Sequence, residues 1–388
     1  MKSLNKSLIL NVIRTEGPIS RAAIAKKTQL TPPTVTNIVA ELIEEGLVIE
    51  RTLGESKGGR KPILLTLNAS AFQVIGVDVG VGQIRVIATD LKGKLIDKIS
   101  KDIPVSLTEE MFVSLLKVSI QTLIEKLRLN KESILGIGIG MHGLVNPDKG
   151  VAIYAPNLQL HDMPLRDELE SAFDVPVKVD NDVRAMALGE SWFGHGEGVD
   201  NFVCLNVGNG VGAGIIMDRK LYRGTSFTAG EVGHTTVDAA GPRCICGNDG
   251  CLQTFVSGPA IALRAQQKMR SGRKSILSEK DLTGKGVYEA ALAGDALAQE
   301  ILRETGRYLG IGIGNIINTL NPDRVIIGGG VANAAKFIME PLQETVTARA
   351  LATPVKASTI VTAKLAENAA AIGAVTLVLY NLFIPEYS

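Results

Sequence analysis

The sequence predicts an α/β body carried behind a small, mostly helical head that closes with a β-hairpin. Three observations predict it. The first 67 residues show three short helical patterns followed by two strand patterns. From residue 73 onward, apolar strand runs end in glycine turns and alternate with helical segments, the mark of α/β architecture. Three of the four cysteines fall within eight positions, a short way after a histidine, so one short loop of the body gathers side chains that can fold it around an ion.

The head comes first. Leu4, Leu8, Val12 and Ile13 recur at helical spacing, and Gly17-Pro18 stops that helix. Ser20 is an N-cap for a second short helix with Ala23 and Ile24 inward. Thr31 caps a third helix, with Pro32 at its first position, where the missing N–H costs nothing. Val35, Ile38, Val39 and Leu42 form its apolar face, and Gly46 ends it. Leu47 to Arg51 and Pro62 to Leu67 read as strands around a flexible basic loop. This order is that of a winged helix-turn-helix. In such motifs the N-terminal end of the second helix of the pair enters the major groove, and here that end presents Pro33, Thr34, Thr36 and Asn37. Lys57, Arg60 and Lys61 on the hairpin loop are placed to neutralise phosphates or enter a narrow minor groove. The competing reading is a helical protein-interaction module with a solvated loop.

Charge supports the head's separate role. The chain's net charge is +1, yet residues 1–67 hold ten Lys/Arg against six Asp/Glu, a net of +4, which leaves −3 on the rest. At 388 residues the chain is too long for one ordinary core. The first apolar run is interrupted by Asn11 and Arg14, unlike a signal peptide, and no run approaches the ~20 apolar residues of a membrane span. The expectation is a cytoplasmic protein with no membrane partner. The expected division is a head over 1–67, a linker over 68–72 and a body over 73–388.

In the body, Val74 to Val79, Ile84 to Thr89, Leu135 to Gly140, Val177 to Val179, Phe202 to Val207, Ile215 to Met217 and Arg324 to Ile327 read as strands. Helices are expected over 110–128, 182–193, 286–319 and 366–382. Glycine turns at the strand ends can aim backbone N–H groups at a ligand. Between them lies Glu231-Val-Gly-His234, then nine residues, then Cys244-Ile-Cys246-Gly-Asn-Asp-Gly-Cys251. Three thiolates and one imidazole are the donor set of a closed tetrahedral zinc site, so Cys244, Cys246, Cys251 and His234 are the expected ligands of a structural Zn2+. The alternative is a disulfide plus a free thiol, disfavoured in a chain without a secretion signal.

At this point the sequence resembles the ROK family (repressors, open reading frames and sugar kinases) over its whole length. The resemblance rests on Glu231-Val-Gly-His234 with the cysteine cluster behind it. It also rests on the head ending in Gly-Gly-Arg-Lys-Pro, as in the family's repressor branch, the xylose repressors among them. It implies an actin/hexokinase-like body of two lobes with a cleft between them. Lobe 1 would run over about 73–180 plus a returning C-terminal helix over 366–388, and lobe 2 over about 181–365. It also implies a sugar pocket of Asn157, Asn181, Asp182, Glu231, His234 and Gln253. That set suits hydroxyls that both donate and accept.

The same resemblance raises a kinase, with Asp182 as general base. The phosphate loops argue against efficient catalysis. Asp78-Val79-Gly80-Val81-Gly82 lacks the family's Thr, and Gly208-Asn209-Gly210 lacks the hydroxyl of Gly-Thr-Gly. Phosphoryl transfer depends on positioned groups of this kind. The expectation is therefore a sugar-responsive repressor, not an enzyme, that binds operator DNA and a small sugar effector as a homodimer. A sugar kinase carrying a DNA-binding head is the alternative, and a zinc-sensing regulator a third. The apolar helical stretch 286–319 suits either a dimer contact or the core.

Overall fold

The structure, a computed structural model, describes residues 2–51, 62–104 and 106–384. The head consists of α1 (Lys2–Glu16), β1 (Ile19–Ser20), α2 (Arg21–Thr28), α3 (Pro32–Glu44), β2 (Val48–Arg51) and β3 (Leu64–Leu67). Its sheet has the order β1-β3-β2, all antiparallel. The caps form as the sequence predicts. Ser20 accepts from the Ala23 N–H at 3.2 Å, Thr31 accepts from the Thr34 N–H at 3.4 Å, and Pro32 opens α3. Val35, Ile38, Val39 and Leu42 are buried as one face. On α1 the deepest residues are Ile9, Leu10 and Ile13, so the buried stripe sits one position round from the expected Leu8 and Val12, which are half-buried.

The stretch 68–72 is not a loose tether. Asn68 donates from its amide to Gly46 O at 2.9 Å, and the Leu91 N–H donates to Ala69 O at 3.0 Å.

The body begins with β4 (Gln73–Val79), β5 (Gln83–Thr89), β6 (Leu95–Asp102), α4 (Glu109–Leu127) and β7 (Ile134–Met141). A small meander follows, β8 (Leu144–Asn146), β9 (Val151–Ala155) and β10 (Leu160–Met163), then α5 (Leu165–Phe173), β11 (Val177–Asn181) and α6 (Asp182–Phe193). The first large sheet has the order β11-β7-β4-β5-β6.

The second unit contains β12 (Phe202–Val207), β13 (Val211–Met217), β14 (Lys220–Tyr222), α7 (Gln253–Val256), α8 (Gly258–Arg270), α9 (Gly284–Leu292) and α10 (Ala296–Leu320). It closes with β15 (Arg324–Gly328), α11 (Ala335–Arg349), α12 (Ala352–Ala357) and β16 (Thr359–Thr362), and the chain then returns to the first sheet as α13 (Ala369–Phe383), whose Ala371, Ala374 and Val375 lie against Gly76 and Gly138. Its sheet has the order β14-β13-β12-β15-β16. Both sheets therefore repeat one plan. A strand pairs antiparallel with the hairpin strand after it and parallel with a later one, and a last parallel strand closes the edge.

Two expectations change. The stretch 286–319 is two helices, because Asp295 caps α10 through the Ala298 N–H at 2.8 Å and Gly294 adopts φ 92° before it. The apolar residues of α10, among them Ile301, Leu302, Leu309 and Ile313, lie in the core of the second unit, so they are core residues and not a dimer face. The last helix bears on the second expectation, that no stretch spans a membrane. Ala366–Phe383 is long and apolar enough to cross a membrane by length and composition alone, yet 61% of it is buried inside the protein. It is the core helix on which the body is assembled. A Cβ at Gly138 would overlap the Ala374 carbonyl, and one at Gly373 would overlap Ala185, so β7, α13 and α6 stack at glycine distance.

Candidate sugar and metal sites

One cavity of about 750 Å³ lies between the two sheets, and it gathers all six expected sugar residues: Asn157, Asn181, Asp182, Glu231, His234 and Gln253. Asp78, Gly80 and Gly210 line it too. Gly208 does not; it lines a neighbouring cavity of about 620 Å³ with Tyr288 and Lys285.

The first bank is built on main-chain pairing. Asn157 stands in the turn between β9 and β10, which pair through Ala155 and Leu160. Its amide nitrogen lies 3.1 Å from His142 Nε2. Burial holds His142 below the ordinary histidine value, which favours the neutral ring. The pairing places the His142 ring where it can hold the Asn157 amide.

Asn181 ends β11 and caps α6. Its Oδ1 accepts from the Val183 and Arg184 N–H groups at 2.9 and 3.1 Å, and its Nδ2 donates to Gly143 O and Asp182 Oδ1, both at 2.9 Å. Every hydrogen-bonding valence of that amide is in use. Asn181 lines the cavity, but its geometry is that of a residue that fixes Asp182.

Asp182 and Asp78 face the same space. Burial raises Asp182 to about 7, helped by the nearby Asp78 charge. Burial also raises Asp78, to about 6, against the pull of Arg85, whose Nη1 stands 3.4 Å from Asp78 Oδ2. Arg85 donates to Glu367 O as well. Sequence reasoning missed Arg85, because nothing in its spacing announces a cleft residue.

The network behind the cleft was missed as well. Asp180 is fully buried and accepts from Arg184 Nε at 2.6 Å and from Arg223 Nη2 at 2.9 Å. Arg184 also donates to Val145 O at 3.1 Å and to Phe227 O. It thereby ties the β8 strand of the first unit to the loop that leads to Glu231. A run of charge inside Val-Asp-Asn-Asp-Val-Arg was the available signal.

The second bank is the loop of residues 223–252. It has no strand ladder among its described residues beyond two isolated bridges, Thr236 with Cys251 and Arg243 with Asp249. Glu231 is exposed to the cavity, with no side-chain partner among the described residues. The donor atoms of His234, Cys244, Cys246 and Cys251 all lie within 4.8 Å of one another. Cys244 Sγ to His234 Nδ1 and Cys246 Sγ to Cys251 Sγ are both 3.6 Å. A disulfide needs about 2.05 Å, so these are separate thiols. A tetrahedral ion with bonds of about 2.3 Å to sulfur and 2.0–2.1 Å to nitrogen places its ligands roughly 3.5–3.8 Å apart, which fits.

Without the ion, burial raises Cys244, but hydrogen bonds from the Cys246 main chain and the Gln253 amide outweigh it and lower the thiol's value. Burial raises Cys251. Gln253 Nε2 sits 3.3 Å from Cys244 Sγ, so this amide joins the cluster to the cavity. Gly250 adopts φ 64°, and a Cβ there would overlap Asp238 O, so only glycine turns the chain back to the cluster.

In the head, Pro33, Thr36 and Asn37 are exposed at the start of α3. Thr34 is half-buried, and its hydroxyl lies 2.8 Å from Thr31 Oγ1, so it serves the cap. Lys57, Arg60 and Lys61 lie outside the described residues.

A helix-turn-helix joined to a two-unit α/β body with a polar cleft defines a class: a DNA-binding protein built on an actin/hexokinase-like fold. Residues 4–49 match a winged helix-turn-helix DNA-binding family, and residues 74–381 match the ROK family. The chain belongs to the ROK family. It is 35% identical over 393 residues to the xylose repressor of Caldicellulosiruptor bescii, covering 100% of this chain and 98% of that one. It matches the crystal structure of a ROK family transcriptional regulator, a homologue of the E. coli MLC protein, with TM-score 0.89 and 29% identity over 98% of this chain and 97% of that one. A ROK family glucokinase from Streptomyces griseus, solved with glucose and AMPPNP, matches 79% of this chain and 98% of its own, with TM-score 0.70 and 30% identity.

Proposed function

We propose that this chain is a repressor of carbohydrate-utilisation genes that binds operator DNA as a homodimer and releases or tightens its grip when a small sugar fills the cleft. The division at 68–72 into a reading head and a sensing body belongs to this reading, as does action in the cytoplasm. The observation that carries it is the convergence of six hydrogen-bonding side chains on one cavity in a chain with a helix-turn-helix at its other end. Glu231, His234, Asp182 and Asn157 contact the sugar hydroxyls. Asn181 orients Asp182, and Gln253 joins the pocket to the cluster. Zn2+ is the ion held by His234, Cys244, Cys246 and Cys251. It supplies cross-linking, because a site closed by four protein donors has no open position for substrate. The α3 residues Pro33, Thr36 and Asn37 face DNA, Thr34 supports them, and Lys57, Arg60 and Lys61 approach phosphates.

One observation favours a second reading, a ROK sugar kinase with a DNA-binding head. Asp182 at about 7 is tuned as a general base would be. Against it, the loops at Asp78–Gly82 and Gly208–Gly210 carry no hydroxyl, and Arg85 already pairs with Asp78. Thermal melting with D-xylose, D-glucose, N-acetylglucosamine and glucose 6-phosphate, each with and without MgATP, separates the two. A melting shift with sugar alone supports the sensor. Sugar-dependent ADP release at 1 s⁻¹ or faster, on the order of ordinary enzyme turnover, supports the kinase.

A further inference from the structure

Helix α6 has one end in the cleft and the other against the head. Its first turn carries Asp182 and its cap Asn181, both on the cavity wall. Its last turn carries Trp192 and Phe193. At 12 residues it spans about 18 Å. It is held along its length: Gly373 of α13 fits against Ala185, and the buried Glu190 accepts from the His195 and Leu365 N–H groups at 2.8 and 2.9 Å. A helix packed this closely moves as a rigid body.

At the far end, Arg14 of α1 lies with its guanidinium 4.1 Å from the Trp192 ring and 5.4 Å from the Phe383 ring. Asn11 aims that guanidinium, accepting from Nε and Nη2 at 3.1 and 3.0 Å. Around this contact Ile9, Leu10 and Ile13 of α1 share one buried cluster with Ile372, Val375 and Leu379 of α13. The head is therefore seated on the same two helices that floor the cleft, and it is keyed there by a planar cation set over the Trp192 ring, with the Phe383 ring beside it. Such a stack depends on ring placement within about 6 Å.

We propose that α6 is the coupling element between cleft and head, and that the Arg14–Trp192 stack is its output contact. This rests on the reading of the chain as a sugar-responsive regulator. A ligand that repositions Asp182 displaces the whole helix, and the displacement reaches the reading head through Trp192. Arg14 and Trp192 are positioning residues: neither touches sugar or DNA in this account.

Trp192 is the single tryptophan of the chain, so tryptophan emission reports the surroundings of this one ring, Arg14 among them. The test uses the full-length, metal-loaded protein, an operator duplex selected from random DNA by that protein, and the four sugars named above. In the unaltered chain, the sugar that changes operator affinity also changes Trp192 emission, with the same midpoint. In Arg14→Met, sugar affinity stays within about threefold, while the ratio of operator affinities with and without sugar shrinks at least fivefold, the lower end of ordinary allosteric coupling. Asn11→Ala, a milder change, shrinks the ratio partway and serves if Arg14→Met does not fold. An intact ratio in the variants, or unchanged Trp192 emission while the unaltered chain responds to sugar at the operator, overturns the proposal. If no sugar alters operator binding by the unaltered chain, the sensor reading itself fails and the coupling fails with it.

Discussion

The two large sheets follow one plan, but their excursions toward the cleft are held by different physics. The first excursion, β8 to β10, presents Asn157 from a three-stranded meander whose Val145, Ala152, Ala155 and Leu160 are buried. The second presents Glu231 and His234 from a loop whose residues 235–250 are mostly exposed and pair only through isolated bridges. Ladder hydrogen bonds and an apolar core hold the first bank. The second has neither in quantity, and a four-donor cluster stands where the core would be. The comparison teaches why the donors sit where they do: a loop that exposes a carboxylate to a cavity buries little apolar surface to hold itself, and the ion proposed for this cluster would supply by cross-linking what burial does not.

The sharpest way to break the comparison is to remove the ion proposed for the His234-Cys244-Cys246-Cys251 cluster. Chelation, or Cys246→Ser, should release the second bank only. Hydrogen exchange over residues 231–251 should accelerate by two orders of magnitude or more, the scale of ~3 kcal/mol, while residues 144–163 stay protected. Equal loss of protection in both banks would show that the excursions share one support.

The next largest effect compares the side chains themselves. Glu231→Ala removes a charged acceptor and should weaken sugar binding by ~10–100-fold, from ~1.5–3 kcal/mol. Asn157→Ala removes a neutral partner and should cost only about two- to tenfold, from ~0.5–1.5 kcal/mol. Both should leave operator affinity without sugar intact, as titration calorimetry and operator binding in parallel can establish. The reverse order would mean that the banks are misassigned.

The smallest effect concerns stability and pH. Asp182 has a folded value near 7, above the ~3.9 of an unfolded aspartate. Its contribution to stability is therefore fully present below about pH 4 and is lost as pH rises through about 7. Asp182→Asn should melt higher than the unaltered chain at pH 8, and the gain should vanish by pH 4. A gain independent of pH would show that Asp182 ionises freely in the cleft.

Much of this arrangement was legible in local patterns. The Thr31-Pro32 start of α3, the Gly46 stop and the Cys-His cluster are signals within a few residues of one another, and each formed as read. So did the strand ending at Val79, while the strand read as Val177 to Val179 runs two residues further, to Asn181. What the sequence did not announce joins residues far apart: Arg85 with Asp78 and Glu367, His142 with Asn157, Arg184 with Phe227, Arg14 with Trp192. None of these pairs has a periodic signature. The split of 286–319 was readable and passed over, since Gly294-Asp295 is a stop followed by a cap. The short strands β8 to β10 gave no clear alternation, because they are three to five residues long and their buried positions fall three apart, Ala152 and Ala155 in β9 and Leu160 and Met163 in β10.

The account turns on whether occupancy of the cleft is felt by the reading head. Operator affinity of the metal-loaded chain, measured by equilibrium titration without nucleotide across the four sugars, tests this directly. At least a tenfold change with one sugar is predicted, moved to ~10–100-fold higher sugar concentration in Glu231→Ala. Operator affinity indifferent to every sugar, in a chain that instead converts one of them to its phosphate with ATP, would contradict it.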